Sequence, residues 1–401
     1  MAKITVIIPT RERPEVLEYA LKTVTSEDYD NLDIVVSDNN SQDHTRDVVE
    51  SNRDPRIRYV NTGRRLGMTG NWEFALSHVS SGWVTILGDD DGLVPGALQR
   101  ARGIFEAHPS VRALRSAVCQ YQWPTSRGSS HGRIQIPLGS GVELRSARQY
   151  LSDALFNKVG YPQLPMLYNG GFIHHEILQS IRGANGNVYH SCAPDVYAAV
   201  AVARRIDQYA YSRSPLAING ASRHSTGTSA FSTSATRQSA SDKFYQEENI
   251  PFHPDLPLLP TGRVVTSMPV LVYEAYLQSA FVDTGPALIT QQEVLEVVLA
   301  DPRQPPGIGD WAAAFASRHG LDLPAAHRKA QTERRSVGVR NAARTVWTAL
   351  DTYAVGSKSI PIPDVFLAAQ AAARVLESPP GRARNAIRLA GSVLRKATGG
   401  S

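Results

Sequence analysis

Two cysteines, Cys119 and Cys192, are all that the 401 residues contain. Neither has a partner at metal-ligand spacing, which argues against a disulfide framework and a thiolate metal site and leads us to expect a reducing compartment. The chain also lacks any apolar run approaching the ~20 residues that cross a bilayer. Its start carries no signal-peptide pattern, since Met1-Ala2-Lys3 leads straight into Ile4-Thr5-Val6-Ile7-Ile8. The expected location is therefore cytoplasmic, either free or peripheral at a membrane. No repeat of fixed period is visible, so a solenoid or propeller is not expected. Excess charge is small, at +5, but unevenly placed. From Ala326 onward there are thirteen Lys+Arg against four Asp+Glu, a local +9, while the preceding residues sum to −4. Such asymmetry suits an anionic partner, a lipid surface or nucleic acid, and equally suits an Arg-rich solvated helical surface.

What is present begins with an ordinary globular composition, 42% hydrophobic and 20% charged, long enough for two or three domains. Against this background Leu87-Gly88-Asp89-Asp90-Asp91-Gly92-Leu93 stands out. Adjacent carboxylates repel, and burying them costs several kcal/mol each unless a cation or hydrogen-bond donors compensate. A hard divalent ion, which prefers oxygen ligands, would suit such a cluster. A solvated Asp-Gly turn is the plainer reading of the same residues.

The surrounding pattern favours a site. Four apolar, β-rich runs, Ile4 to Ile8, Leu32 to Val36, Arg56 to Val60 and Trp83 to Leu87, alternate with helical patterns over Pro14 to Thr25, Thr45 to Ser51, Thr69 to Ser77 and Pro95 to Ala107. Repeated strand–helix units predict an α/β fold, a doubly wound sheet of Rossmann type with right-handed crossovers. In such sheets ligands gather beyond the carboxyl ends of the strands. Three polar clusters, Thr10-Arg11, Asp38-Asn39 and Asp89 to Asp91, fall at those ends. Farther on, Gly128 to Gly141 reads as a loop or hairpin and Asn169 to Ile173 as a returning strand. His174 to Ile181 and Asp195 to Arg205 read as helices, with Asp195 at a helix start where capping is its plainest role. Ala221 to Ser241 holds seven Ser and four Thr without apolar periodicity, the composition of a mobile lid. From about Lys243 the spacing is mostly helical.

In order and spacing, Ile4-Thr5-Val6-Ile7-Ile8-Pro9-Thr10-Arg11, Val36-Ser37-Asp38-Asn39-Asn40-Ser41-Gln42-Asp43 and Leu87-Gly88-Asp89-Asp90-Asp91-Gly92-Leu93-Val94-Pro95 resemble the inverting family 2 glycosyltransferases of GT-A fold. The resemblance covers residues 1–235 and implies a metal-dependent enzyme that moves a sugar from a UDP- or dTDP-sugar to an acceptor hydroxyl, with Mn²⁺ or Mg²⁺ as cofactor. It implies a donor site made of Pro9, Thr10, Arg11, Arg13, Asp38, Asn40, Gly67, Asn71, Asp89 and Arg223. Thr10 and Arg13 would line the base pocket, and Asp38 would accept from the N3–H of uracil, as an acceptor-only group suits. Asp90 and Asp91 are the metal candidates within a DXD-type signature, together with His224. Alignment on Pro95 favours Asp90, with Asp89 toward the ribose, while another register favours Asp91. Asp195 matches the catalytic base, although Pro194 precedes it where the family usually has Glu.

The implied organisation is a GT-A domain over 1–242, divided into a nucleotide-sugar half (1–120) and an acceptor and base half (121–242) with a lid at 221–241. A helical C-terminal region over 243–401 with a basic tail follows. Two other readings stand beside it. A nucleotidyltransferase acting on sugar phosphates would want a Gly-rich basic loop where Pro9-Thr10-Arg11-Glu12-Arg13 stands. A catalytically degenerate protein that binds a glycan or membrane surface would explain Pro194. The acceptor is open among a glycan, a lipid-linked glycan, a small molecule and a modified DNA base, and so is oligomerisation. Arg382, Arg384, Arg388, Arg395 and Lys396 lie among Ala386, Ile387, Leu389, Ala390, Val393, Leu394 and Ala397 at helical spacing, a pattern suited to an anionic membrane interface or a phosphate backbone. Truncation after Pro380 distinguishes the two. Loss of co-sedimentation with anionic vesicles marks a membrane contact, loss of salt-sensitive duplex binding marks a nucleic-acid contact, and a lowered melting temperature alone marks a structural tail.

Overall fold

The computed structural model describes residues 1–124, 131–223, 250–334, 350–357 and 359–380. The expected strand–helix alternation is observed. In chain order it comprises β1 (Ile4–Thr10), α1 (Pro14–Thr25), β2 (Leu32–Asp38), α2 (Thr45–Ser51), β3 (Ile57–Asn61), α3 (Met68–Leu76), β4 (Trp83–Ile86), β5 (Gly92–Leu93) and α4 (Ala97–Ala107). Parallel pairing of β1 with β2 and β4, and of β2 with β3, brings the ends of β1, β2 and β4 side by side. Side-chain alternation explains why these runs are apolar throughout. Ile7, Val35, Val84 and Ile86 face one core, while Ile4, Val6, Ile8, Ile34 and Val36 face the other, beneath Leu17 and Leu21 of α1 and Leu98 of α4.

The second half extends this sheet. β6 (Ala113–Gln122), β7 (Arg133–Pro137), β8 (Val142–Ser146), β9 (Gly171–His174) and β10 (Gln208–Ala221) alternate with α5 (Ala147–Leu155), α6 (His175–Ser180) and α7 (Pro194–Arg205). β9 lies between β4 and β6, antiparallel to both. β10 runs parallel to β6 and antiparallel to β5 and β8, with an irregularity between Ser212 and Ala217 that accommodates Pro215. Its residues 208–221 carry few strand signals, and Pro215 argues against a strand, so sequence patterning passes over the element that later reaches the Asp turn.

The helical expectation for the C-terminal region holds for α8 (Met268–Gln278), α9 (Gln291–Ala300) and α10 (Ile308–His319). These pack into one core with α7. The Ala residues of α7, Ala198, Ala199, Ala201 and Ala203, allow close approach and are buried.

Beyond Leu350 the helical expectation holds for the last described helix, which packs against the first half of the chain. The chain returns to the sheet, where β11 (Thr352–Val355) pairs antiparallel with β7 and α11 (Val365–Glu377) covers a third core. In that core Val365, Ala368, Ala369 and Ala372 meet Val94, Tyr121, Trp123 and Ile218. Asp364 caps α11 by accepting from Leu367 N–H at 2.8 Å, and the Tyr121 hydroxyl donates to the Ile362 carbonyl at 2.7 Å. The described residues beyond Leu350 therefore pack against the first half of the chain. An apolar helix face needs a partner, and here the first domain supplies it. Among the described residues, no helix is long and apolar enough to cross a membrane. Ala369→Glu places an unpaired charge in this seam, and we expect a loss of about 3–5 kcal/mol in denaturant unfolding, together with weakened ligand binding at the adjoining turn.

Candidate active site

The turn after β4 is held from every side. Leu87 N–H donates to the Ile7 carbonyl at 2.8 Å, so the turn starts in register with β1. Asp89, Asp90 and Asp91 are all buried. Their partners differ. Asp91, with 0% exposure, accepts from Gly88 N–H at 2.9 Å, Tyr168 hydroxyl at 2.8 Å and Gly220 N–H at 2.7 Å. Oδ1 thus joins the turn to β10, while Oδ2 holds Gly88 and Tyr168. Gly220 is required there because a Cβ would lie 1.8 Å from the Asp90 carbonyl. That carbonyl also accepts from the Trp123 indole at 2.9 Å.

Asp89 accepts from Thr10 Oγ1 at 2.9 Å. The Arg13 guanidinium then spans the pair, Nη1 reaching Asp89 Oδ1 at 2.6 Å and Nη2 reaching Asp90 Oδ2 at 2.7 Å. Arg13 Nη2 also donates to Ser222 Oγ at 2.5 Å, and Ser222 N–H donates to Asp90 Oδ2 at 3.1 Å. Thr10 and Arg13, expected on the wall of a base pocket, both contact the acidic turn. The reason is electrostatic, since buried carboxylates draw in the nearest donors and cation. Burial drives the Asp89 and Asp91 carboxyls above the usual range; Arg13 opposes this at Asp89, while Asp90 adds to it at both.

Asp38 closes β2 and is also buried. It accepts from Ser41 N–H at 2.9 Å, Tyr59 hydroxyl at 2.6 Å and Asn61 Nδ2 at 3.3 Å. Burial, followed by the hydrogen bond to Asp38, pushes the Tyr59 phenol up to about 12. Asn40 beside it has φ 53°, and Glu12 in the loop after β1 also has φ 53°, so backbone strain collects at this edge. Gly67 precedes α3 with φ −63°. The Asn71 amide is bonded to Ser37, from which its Oδ1 accepts at 2.7 Å, and it braces the end of β2. Pro9 and Arg11 are half-buried on the same rim, and Arg223 is exposed just past β10. His224 and the rest of the expected lid, residues 224–241, lie outside the described residues, as does the basic tail after Pro380.

Asp195 stands in the first turn of α7. The N-cap is Ala193, with no side-chain cap bond, and the Asp195 carboxylate interacts with the Asp195 and Val196 N–H groups of that turn. Its Oδ2 accepts from the Tyr161 hydroxyl at 2.7 Å. Burial raises the Asp195 carboxyl, and this hydrogen bond draws it back down. The two acidic centres share a neighbour in Tyr168, whose phenol is driven well up by burial first and then by Asp91, Asp90 and Asp195. The loop bearing Tyr161 and Tyr168 is pinned by buried Arg115, which donates to the carbonyls of Pro162 at 2.7 Å, Tyr168 at 3.3 Å and Asn169 at 2.6 Å. Tyr59, Asn61, Tyr161, Tyr168 and Arg115 were not legible as site residues, because a lone Tyr or Arg beside a strand reads as core or surface.

The donor set suits a hard divalent cation. Mg²⁺ and similar ions are commonly held by one or two carboxylates plus substrate phosphates, not by an all-protein cage. Among the described residues no group of three or more His, Cys, Asp or Glu side chains forms such a cage, but the Asp89–Asp90 pair already holds one cationic group in Arg13.

Residues 5–161 match the model of glycosyl transferase family 2. A stretch of 101 residues is 43% identical to the GalNAc(5)-diNAcBac-PP-undecaprenol β-1,3-glucosyltransferase of Campylobacter jejuni, covering 24% of this chain and 33% of that protein. Another of 136 residues is 31% identical to an uncharacterized Mycobacterium tuberculosis protein, covering 33% and 42%. The matches thus span less than half the length of these curated relatives. Among solved structures, S. aureus TarS 1-349 in complex with UDP-GlcNAc aligns with 14% identity and a TM-score of 0.47, over 83% of this chain and 92% of that one. The Pyrobaculum calidifontis mannosyltransferase PcManGT, in complex with GDP-Man and Mn²⁺, aligns with 18% identity and a TM-score of 0.39, over 83% and 87%.

Tyr161→Phe removes the donor that stabilises the Asp195 anion. The carboxyl then titrates higher, so the acidic limb of the kcat/KM profile of donor turnover should move to higher pH with little change in donor KM. An unmoved limb assigns Tyr161 to packing alone.

Proposed function

We propose, from the match of residues 5–161 to the model of glycosyl transferase family 2, that the chain transfers a sugar from a UDP- or dTDP-sugar to an acceptor hydroxyl with inversion at the anomeric carbon. The observation that carries this reading is the pairing of two acidic centres across Tyr168. One is a strand-end turn that attracts cations, and the other is a lone carboxylate in a helix first turn.

The reading gives each residue a task. Asp38, fixed by Tyr59 and Asn61, offers its remaining acceptor capacity to an N–H of the base, a task that favours uracil or thymine. Asp89 and Asp90 hold a divalent ion, Mn²⁺ or Mg²⁺, which when bound neutralises charge developing on the diphosphate. Asp91 fixes the turn through its three donors and stays out of that shell. Asp195 takes the proton of the acceptor hydroxyl as its oxygen attacks C1. The bond from C1 to the diphosphate oxygen breaks, and its electron pair leaves with the nucleotide. A carboxyl raised by burial is the stronger base once ionised, and the Tyr161 hydroxyl opposes that rise by donating to the anion.

The test combines binding and turnover. UDP with Mn²⁺ should raise the melting temperature, and ligand at 100 times Kd adds about 2.7 kcal/mol. Asp195→Asn should lower kcat by ~10²–10⁴-fold with donor KM nearly unchanged. Asp90→Asn should abolish the Mn²⁺-dependent part of the thermal shift. No stabilisation by UDP, dTDP or GDP, with or without metal, overturns the reading.

A further inference from the structure

We propose that Arg13 serves as the resident counter-ion of the acidic turn, occupying the place of the metal until the diphosphate of the donor draws its guanidinium away, so that metal and nucleotide bind as a coupled pair. This rests on the donor and metal reading given above and deepens it.

The geometry carries the argument. The guanidinium uses two nitrogens on two different carboxylates, at 2.6 and 2.7 Å, and one of these nitrogens also reaches Ser222 Oγ at 2.5 Å. Arg13 is largely buried, with 18% of its side chain exposed, and the side chains of Asp89 and Asp90 are 5% and 7% exposed. A divalent ion approaching Asp90 Oδ2 meets a full positive charge already on that oxygen. Two cations in such a poorly solvated place repel strongly. Metal alone must therefore compete with Arg13.

A diphosphate changes the balance. Its oxygens match the planar fork of a guanidinium as well as carboxylates do. Arg13 can turn to them without moving its backbone, whose carbonyl is held by the Val16 and Leu17 N–H groups of α1 at 3.3 and 3.1 Å. With the guanidinium turned away, Asp89 and Asp90 then accept the metal.

Manganese binding to the full-length chain, read from the electron paramagnetic resonance signal of the free ion, tests this without turnover or a known acceptor. In the wild type, saturating UDP should tighten Mn²⁺ at least tenfold, and saturating Mn²⁺ should tighten UDP by the same factor, as linkage requires. Arg13→Gln should bind Mn²⁺ alone at least tenfold more tightly than wild type, bind UDP alone more weakly, and show a smaller coupling factor. Circular dichroism checks that it folds. If it folds only with metal, Arg13→Lys carries the test, because an ammonium bridges two carboxylates poorly and should tighten Mn²⁺ several-fold. Equal Mn²⁺ affinity of wild type and the folded variant in the absence of nucleotide overturns the role of Arg13 while leaving the metal reading intact. Absence of Mn²⁺ binding in every protein, even with UDP, overturns both.

Discussion

Three consecutive carboxylates buried at the end of one strand are the constraint around which this molecule is built. Each would cost several kcal/mol without compensation, and the compensation comes from distant parts of the chain. Thr10 and Arg13 arrive from the end of β1, Gly220 and Ser222 from β10, Tyr168 from the loop before β9, and Trp123 from the end of β6. The strand order follows the same demand. β5 and β10 pair antiparallel beside the turn, and Asp91 bonds both Gly88 and Gly220. The sheet thus becomes mixed at the point where the acidic turn needs donors from both halves of the chain.

The second acidic centre is tied to the first through one loop. Tyr161 holds Asp195 and Tyr168 holds Asp91, and Arg115 fastens the segment between them by three backbone carbonyls. The two acidic centres therefore share one support. From the other side, buried Glu274 of α8 accepts from Ser191 Oγ at 2.6 Å, so the helical region braces the approach to α7. Burial pushes the Glu274 carboxyl up to about 6.

Much of the first 120 residues was legible in the sequence. Buried parallel strands are apolar on both faces, and their polar ends coincide, so β1, β2, β4 and the Asp turn could be found by pattern alone. The C-terminal half of the sheet was harder. β10 contains Pro215, and β11 is four residues long, so neither has a clear period of two. The partners of Arg13 and Asp91 were not legible for a different reason. A motif names residue types, but the division of charge among three adjacent acids depends on partners up to 132 positions away, as between Asp90 and Ser222. Tyr161 and Arg115 have no local signal at all.

The return of β11 and α11 has a consequence for how the protein is made. Tyr121 and Ile362, bonded across the third core, are 241 positions apart. During synthesis the strands β6 and β7 emerge long before the helix that covers them. Until then Tyr121, Trp123, Ile134 and Ile136 lack their cover, and closing so long a loop is intrinsically slow. The nascent N-terminal domain therefore passes through a period with an uncovered apolar sheet edge directly behind its acidic turn. Fragments ending before residue 350 would keep that edge permanently, and their tendency to self-associate through it would be a property of the missing cover, not of the domain they retain.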